Sequence, residues 1–184
     1  MRRISAVLIH HPILDRDRQV VTGAITNLDL HDIARSAHTY GLDAYYVAHP
    51  IAAQRELATR VRDHWLTGSG SRRIPDRVPP MQQLRIVSNL DEALESSGPG
   101  TELWVTSAKG GDRALSHEGA RERLGVEGPP ILLAFGTGWG LADEVMNRAT
   151  FLLAPIRGPR ADGFNHLSVR AAAAIIFDRL LAPR

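Results

Sequence analysis

The chain has 184 residues, enough for one α/β domain with its own core, and 43% hydrophobic with 23% charged residues is the composition of an ordinary soluble globular protein. It contains no cysteine, which excludes disulfides, thiolate zinc sites, iron–sulfur clusters and cysteine nucleophiles. The formal charge is only +2, yet Lys109 is the sole lysine among 22 basic residues. Arginine suits bidentate contacts to phosphate, although codon choice in a GC-rich genome is the blander account.

The start, Met1-Arg2-Arg3-Ile4, runs straight into Ala6–Ile9 and then His10-His11-Pro12, with no small-residue cleavage site. That pattern predicts a buried first strand rather than a signal peptide, and hence a cytoplasmic protein. No apolar run reaches the length of a membrane span. Further strands are predicted at Ala44–Val47, Leu84–Val87, Leu103–Thr106, Ile131–Phe135 and Phe151–Leu153. Helical spacing fills the stretches between them. Leu57, Val61 and Trp65 recur every four positions. Asn89 caps a helix through Leu94 with Glu92 as its capping-box partner, and Ser116 caps another that ends at Gly125. The last helix, from about His166 to Leu181, is rich in alanine and aliphatic residues and should be largely buried. Gly68–Pro80 reads as an exposed loop carrying Arg72, Arg73 and Arg77. Strands alternating with helices predict a mostly parallel sheet with helices on both faces, in one domain over residues 1–184.

Three segments carry chemistry. The first is a helix entered through Asn27 or Asp29 and ended by Gly41, with an apolar stripe of Ile33, Ala34 and Ala37. Helical spacing places His31, Arg35 and His38 on one side of it, within a dense polar group that also holds Asn27 and Asp32. The bland alternative is a solvated polar face. The second is the run from Ile131 through Phe135 to Gly136-Thr137-Gly138-Trp139-Gly140-Leu141, a buried strand entering a loop with glycines at alternate positions. Such glycines let backbone amides approach a ligand, and the carboxyl end of a parallel strand is where open α/β sheets bind small molecules. The spacing is G-x-G-x-G, not the dinucleotide G-x-G-x-x-G, and no Walker lysine follows. A tight strand–helix turn accounts for it as well. The third is Pro155-Ile156-Arg157-Gly158 followed by Asn165-His166-Leu167-Ser168, where Asn165 is a good N-cap for the last helix.

Those three blocks, in that order, resemble the SPOUT superfamily of RNA methyltransferases. Asn27, Ala34-Arg35-Ser36 and Tyr40-Gly41 resemble the first motif of SpoU-type ribose methyltransferases, Gly136–Leu141 the second, and Asn165–Ser168 the third. The resemblance spans nearly the whole chain and is closer still to a group of small bacterial members. It implies an α/β domain with a C-terminal deep trefoil knot, an exception to unthreaded chain paths. It also implies S-adenosyl-L-methionine as cofactor, with S-adenosyl-L-homocysteine as product, and a homodimer whose sites both subunits complete. Cofactor contacts are implied for Thr106, Ser107, Phe135, Gly136, Thr137, Gly138, Trp139, Gly140, Pro155, Ile156, Gly158, Asn165, His166, Leu167 and Ser168. Catalytic roles are expected for Asn27, His31, Arg35, Asn165 and His166, and the exposed Arg72, Arg73 and Arg77 are candidates for phosphate contacts to the RNA, a tRNA or rRNA.

Two departures matter. The second motif normally has a glutamate where this chain has Thr137-Gly138-Trp139, and the third normally reads Ser-Leu-Asn-Val-Ser where this chain has Phe164-Asn165-His166-Leu167-Ser168. A ribose hydroxyl and a base nitrogen therefore both stand open as acceptor. Two rivals remain: a nucleotide-binding oxidoreductase with diphosphate at Gly136–Gly140, and a non-catalytic RNA-binding or regulatory protein on the knotted scaffold. No metal is expected, because the eight histidines lack an H-E-x-x-H arrangement.

Overall fold

The computed structural model describes residues 2–111 and 114–183. In chain order it runs β1 (Ile4–Ile9), β2 (Ile13–Leu14), β3 (Val20–Val21), α1 (Asn27–Thr39), β4 (Tyr45–Ala48) and α2 (Ala52–Leu66). Then come α3 (Ser69–Arg73), a 3-10 turn (Pro75–Arg77), α4 (Val78–Gln83), β5 (Leu84–Val87), α5 (Leu90–Ser97) and β6 (Glu102–Val105). The chain continues through α6 (His117–Gly125), β7 (Ile131–Gly136), α7 (Asp143–Met146), β8 (Phe151–Leu152) and α8 (Val169–Leu181).

Six strands form one sheet in the order β5-β4-β1-β7-β6-β8, every pair parallel. All six predicted strands are present. The central pair, β1 and β7, is buried on both faces, which is why Ala6–Ile9 and Ile131–Phe135 read as apolar runs rather than alternations. Edge strand β5 instead exposes Arg85.

Helices cover both faces, as expected. On one face Leu30, Ile33, Ala34 and Ala37 of α1, Ala58 of α2, Met81 of α4, Leu124 of α6 and Ile176 and Phe177 of α8 pack on Leu8, Tyr45, Val47, Leu133 and Phe135. On the other, Leu90 and Ala93 of α5 and Val145 of α7 pack on Val7, Ile9, Tyr46, Val105 and Ala134. Helix α8 lies against α1, α6 and β7. This strand order is consistent with the C-terminal knot that the resemblance implies. No helix among the described residues is long and apolar enough to cross a membrane.

Several local expectations change. Helix α1 is capped by Thr26, whose hydroxyl accepts from the Asp29 amide, rather than by Asn27 or Asp29. Helix α8 begins at Val169 with Ser168 as its cap, so Asn165 and His166 precede it in an irregular segment. Several of its residues are only half-buried. Asn89 caps α5, but the Glu92 carboxylate bonds the amide and hydroxyl of Ser88 instead of closing the box on Asn89. In α2 the buried position is Ala58, and Leu57 faces out. Gly68–Pro80 is not a loop. Prolines sit at the openings of the 3-10 turn and of α4, where a missing N–H costs nothing, so they start helical turns rather than break them.

Candidate functional site

Because β7, β6 and β8 are adjacent and parallel, the loops that leave their carboxyl ends converge on one rim of the sheet. That rim flanks the point where the strand order reverses beside β1, the place where open α/β sheets bind ligands. After β6, the Thr106 hydroxyl donates to the Ala134 carbonyl (2.9 Å) and the Ser107 hydroxyl accepts from the Lys109 amide (3.2 Å). Both side chains thus shape the loop first. A side chain on Gly110 would begin 2.8 Å from Cδ of Pro155, so the first loop can lie against the third only because that residue is glycine.

The middle loop is held from below by a hairpin. The Trp139 amide donates to the Leu14 carbonyl (2.9 Å) and the Leu14 amide to the Gly140 carbonyl (2.8 Å). Gly138 has φ +61°, and a Cβ there would lie 2.9 Å from the Leu14 oxygen. The Phe135 side chain is core, edge-on to Phe177 with centroids 5.7 Å apart, so only its backbone faces the rim. The Thr137 hydroxyl is likewise turned inward, toward Gly23, without a partner among the described residues. These two positions therefore offer a ligand backbone, not side chains.

In the third loop Asn165 is a clamp. Its amide nitrogen donates to the Ile156 carbonyl (2.6 Å) and its oxygen accepts from the Gly158 amide (3.2 Å), closing the segment on itself. His166 meets Trp139 edge-to-face at 5.5 Å, joining the second and third loops. Trp139, Phe164 and Leu167 are exposed there (53%, 64% and 43%). A rim of turned backbone flanked by exposed apolar rings suits an adenosyl group, whose flat base needs apolar cover and whose ring nitrogens need backbone partners. The residues present fit that ligand.

The second feature is a cavity of about 570 Å³ between α1 and α2, away from the loops. Asn27, Leu28, His31, Asp32 and Arg35 of α1 line one side, Arg60, Val61, His64 and Trp65 of α2 the other, and Arg77 closes an end. His31 and His64 each meet Trp65 edge-on with centroids 5.3 Å apart, and the Arg77 guanidinium sits 4.7 Å from the Trp65 ring centroid. Burial, then the Arg77 charge, holds the His31 pKa below its ordinary value, so the ring is neutral near pH 7.

The five expected catalytic residues thus fall into two groups. Asn27, His31 and Arg35 face the cavity, whereas Asn165 and His166 lie on the loop rim. The groups are joined through Arg170 at the start of α8, which pairs with Asp29 (2.8 Å) and Asp32 (3.6 Å). Of the expected phosphate contacts, Arg72 and Arg73 are exposed on α3, while Arg77 belongs to the cavity.

Sequence reasoning passed over the β2–β3 hairpin, Arg60, the Trp65 floor and Arg170. The hairpin had a signal: Asp15 accepts from the amides of Asp17 and Gln19, an acidic turn between two short apolar pairs. Also unforeseen is His10, which is fully buried at the end of β1 beside His49, with neither ring nitrogen partnered among the described residues. Burial, then His49, pushes its pKa down to about 4.

Comparison with known proteins follows the same lines. A protein of Nitratidesulfovibrio vulgaris named tRNA (guanine-N(1)-)-methyltransferase is 42% identical over 184 residues, covering 98% of this chain but 42% of that protein. The chain therefore spans less than half the length of that relative. An uncharacterized protein of Aquifex aeolicus is 36% identical over 183 residues, covering 97% of this chain and 88% of its own length. Among solved structures, a probable methylase family protein from Haemophilus influenzae superposes with a TM-score of 0.64 at 18% identity, covering 97% of this chain and 65% of that one. The SpoU methyltransferase AviRb from Streptomyces viridochromogenes, in complex with AdoMet, gives 0.57 at 15% identity over 97% of this chain and 57% of its own. At such identities the structures establish the fold. A sequence model described as SAM-dependent RNA methyltransferase matches residues 3–182, and the chain belongs to that family.

Proposed function

We propose that this chain transfers a methyl group from S-adenosylmethionine to RNA, with tRNA the first class to test. The observation that carries this reading is the convergence of three loops at the carboxyl ends of adjacent parallel strands, in a chain matched over residues 3–182 by the family. Gly136–Gly140, the backbone of Thr106–Lys109, and Pro155–Leu167 would hold the cofactor, with Trp139 and Leu167 covering its base. When bound, the cofactor supplies an electrophilic methyl group on a sulfonium.

The chain's own task is to align the acceptor and manage one proton. Arg35 is exposed on α1 and makes no salt bridge among the described residues, so its guanidinium is available to stabilise a developing oxyanion or nitrogen anion. His166, exposed on the loop rim beside Trp139, is placed to accept the acceptor's proton. His31 lies on the cavity wall against Trp65, a position that suits substrate binding better than proton transfer.

Arg35 lines the α1–α2 cavity with no loop-rim residue beside it there among the described residues, and Trp139, Phe164 and Leu167 stand exposed; both facts favour a homodimer in which Arg35 serves the partner's site. A relative is named for tRNA guanine-N1 methylation, which directs the first screen to tRNA, with nuclease digests read for base and ribose products alike.

The test is calorimetric titration with S-adenosylmethionine, with NADH as control, followed by labelled-methyl incorporation into tRNA. Arg35→Ala should abolish incorporation and leave cofactor affinity unchanged. Binding of NADH in place of the sulfonium cofactor would overturn the reading in favour of the oxidoreductase. Cofactor binding without incorporation into any RNA would favour the non-catalytic scaffold, to which the absent motif glutamate already lends weight.

A further inference from the structure

The cavity between α1 and α2 is not used by the chemistry above beyond Arg35 at its edge. It gathers three guanidinium groups, those of Arg35, Arg60 and Arg77, none in a salt bridge among the described residues. Its one carboxylate, Asp32, faces Arg170 at 3.6 Å, so the lining carries net positive charge. Like charges gathered without counter-ions repel one another, and an anion between them relieves the repulsion.

The geometry is also specific. The Arg77 guanidinium sits over the Trp65 ring, 4.7 Å from its centroid, a cation–π contact that holds it at the cavity, and a guanidinium can bind two oxygens of one anion. His31 is only 9% exposed, and its Nδ1 is buried without a partner among the described residues. The first turn of α1, with Asn27 and Leu28 at the cavity, adds the positive end of a 13-residue helix. Three arginines around an aromatic floor form the kind of lining that binds nucleic acid.

We infer that this cavity holds a phosphodiester of the RNA substrate, gripped by the guanidinium groups of Arg60 and Arg77. The inference rests on the RNA-methylation reading and adds to it the place where the RNA backbone docks. It moves the principal phosphate contact from the α3 arginines, Arg72 and Arg73, to α2 and the 3-10 turn.

The experiment measures binding of a fluorescent single-stranded oligoribonucleotide and of tRNA, by anisotropy, across a salt series. The proteins compared are the full chain, Arg77→Lys, Arg60→Ala and, as control, Arg16→Ala on the exposed hairpin turn. Arg77→Lys keeps the charge but loses the guanidinium's paired donors, and should weaken RNA binding at least fivefold. Arg60→Ala, on the exposed side of α2, should weaken it similarly and lower the salt slope by about 0.7, the value for one single-strand phosphate contact. Arg16→Ala should change neither, and S-adenosylmethionine affinity should hold in all four.

Unchanged affinity and slope in both cavity variants, with the full chain binding RNA, would overturn the inference and leave the methylation reading standing. If the full chain binds the cofactor but no RNA, that reading falls as well. Displacement of RNA by sub-millimolar AMP or inorganic phosphate would assign the cavity to a free anionic ligand instead. A shift in sedimentation coefficient in the Arg60→Ala variant with RNA affinity unchanged would make it a protein interface only, which also overturns the RNA assignment.

Discussion

Replacing Arg170 with methionine removes the fastening between α1 and α8 while keeping an apolar stem of similar length. The Asp29 side chain is 6% exposed and its carboxylate accepts from Arg170 at 2.8 Å, and the Arg170 side chain is 30% exposed. Stripping one partner from a fully buried pair costs about 3–5 kcal/mol, and a hydrogen bond to a charged group about 1.5–3 kcal/mol. Asp29 keeps the Thr26 hydroxyl at 2.7 Å, and Arg170 is partly solvated, so the lower range applies, roughly 2 kcal/mol. For a domain of this size that is a fall in Tm of roughly 4–8 °C. The assay is urea unfolding of wild type, Arg170→Met, Asp29→Asn and the double variant. With the carboxylate already neutralised, losing Arg170 strands no charge, so the cycle should show a coupling of about 1 kcal/mol or more. Additive losses within about 0.3 kcal/mol would refute the argument that the pair, rather than each side chain's own packing, joins the helices.

Gly138→Ala places a Cβ 2.9 Å from the Leu14 carbonyl at φ +61°, so the loop must leave the hairpin; stability should fall by about 1–2 kcal/mol and cofactor affinity with it, read by melting and calorimetry. Asn165→Ala releases two hydrogen bonds that close an exposed loop and should weaken cofactor binding roughly tenfold, as about 1.4 kcal/mol implies, with Tm nearly unchanged. His10 has its folded pKa pushed down from 6.5 to about 4, so the unfolded chain binds the proton more readily. The stability it contributes is complete above pH 6.5 and is lost as pH falls toward and through 4, about 3 kcal/mol in all. Denaturation midpoints of His10→Leu should therefore decline less over that window; parallel curves for the two proteins would count against the buried neutral imidazole.

The strands were legible because parallel sheets bury both faces. Ile131–Phe135 is apolar at every position and could hardly sit elsewhere. The two-residue strands β2 and β3 were not, since no periodicity exists over two residues, and the hairpin they form is tied to the glycine loop by Leu14 meeting Gly140 across 126 positions of sequence. Helix starts were legible only as choices. Asn27 and Asp29 were the caps read from the sequence, and Thr26, equally able to cap, took the position. Asn165 was a reasonable cap that failed because its amide found the Ile156 carbonyl and the Gly158 amide, and Ser168 took the helix.

The same division holds for the site. The sequence by itself determined the alternation of strand and helix, the glycine-bearing loop at the end of a buried strand, the polar face of α1 and the absence of thiol chemistry, because each depends on neighbours within a few residues. Only the tertiary structure decided that β7 lies between β1 and β6, which brings three separate loops to one rim. It alone set Arg77 over Trp65 and both opposite His31, and turned Phe135 and Thr137 away from the rim. Local preferences carry no information about which distant surfaces meet; burial of the two faces of one sheet selects that arrangement, and the cavity and the rim are what it leaves behind.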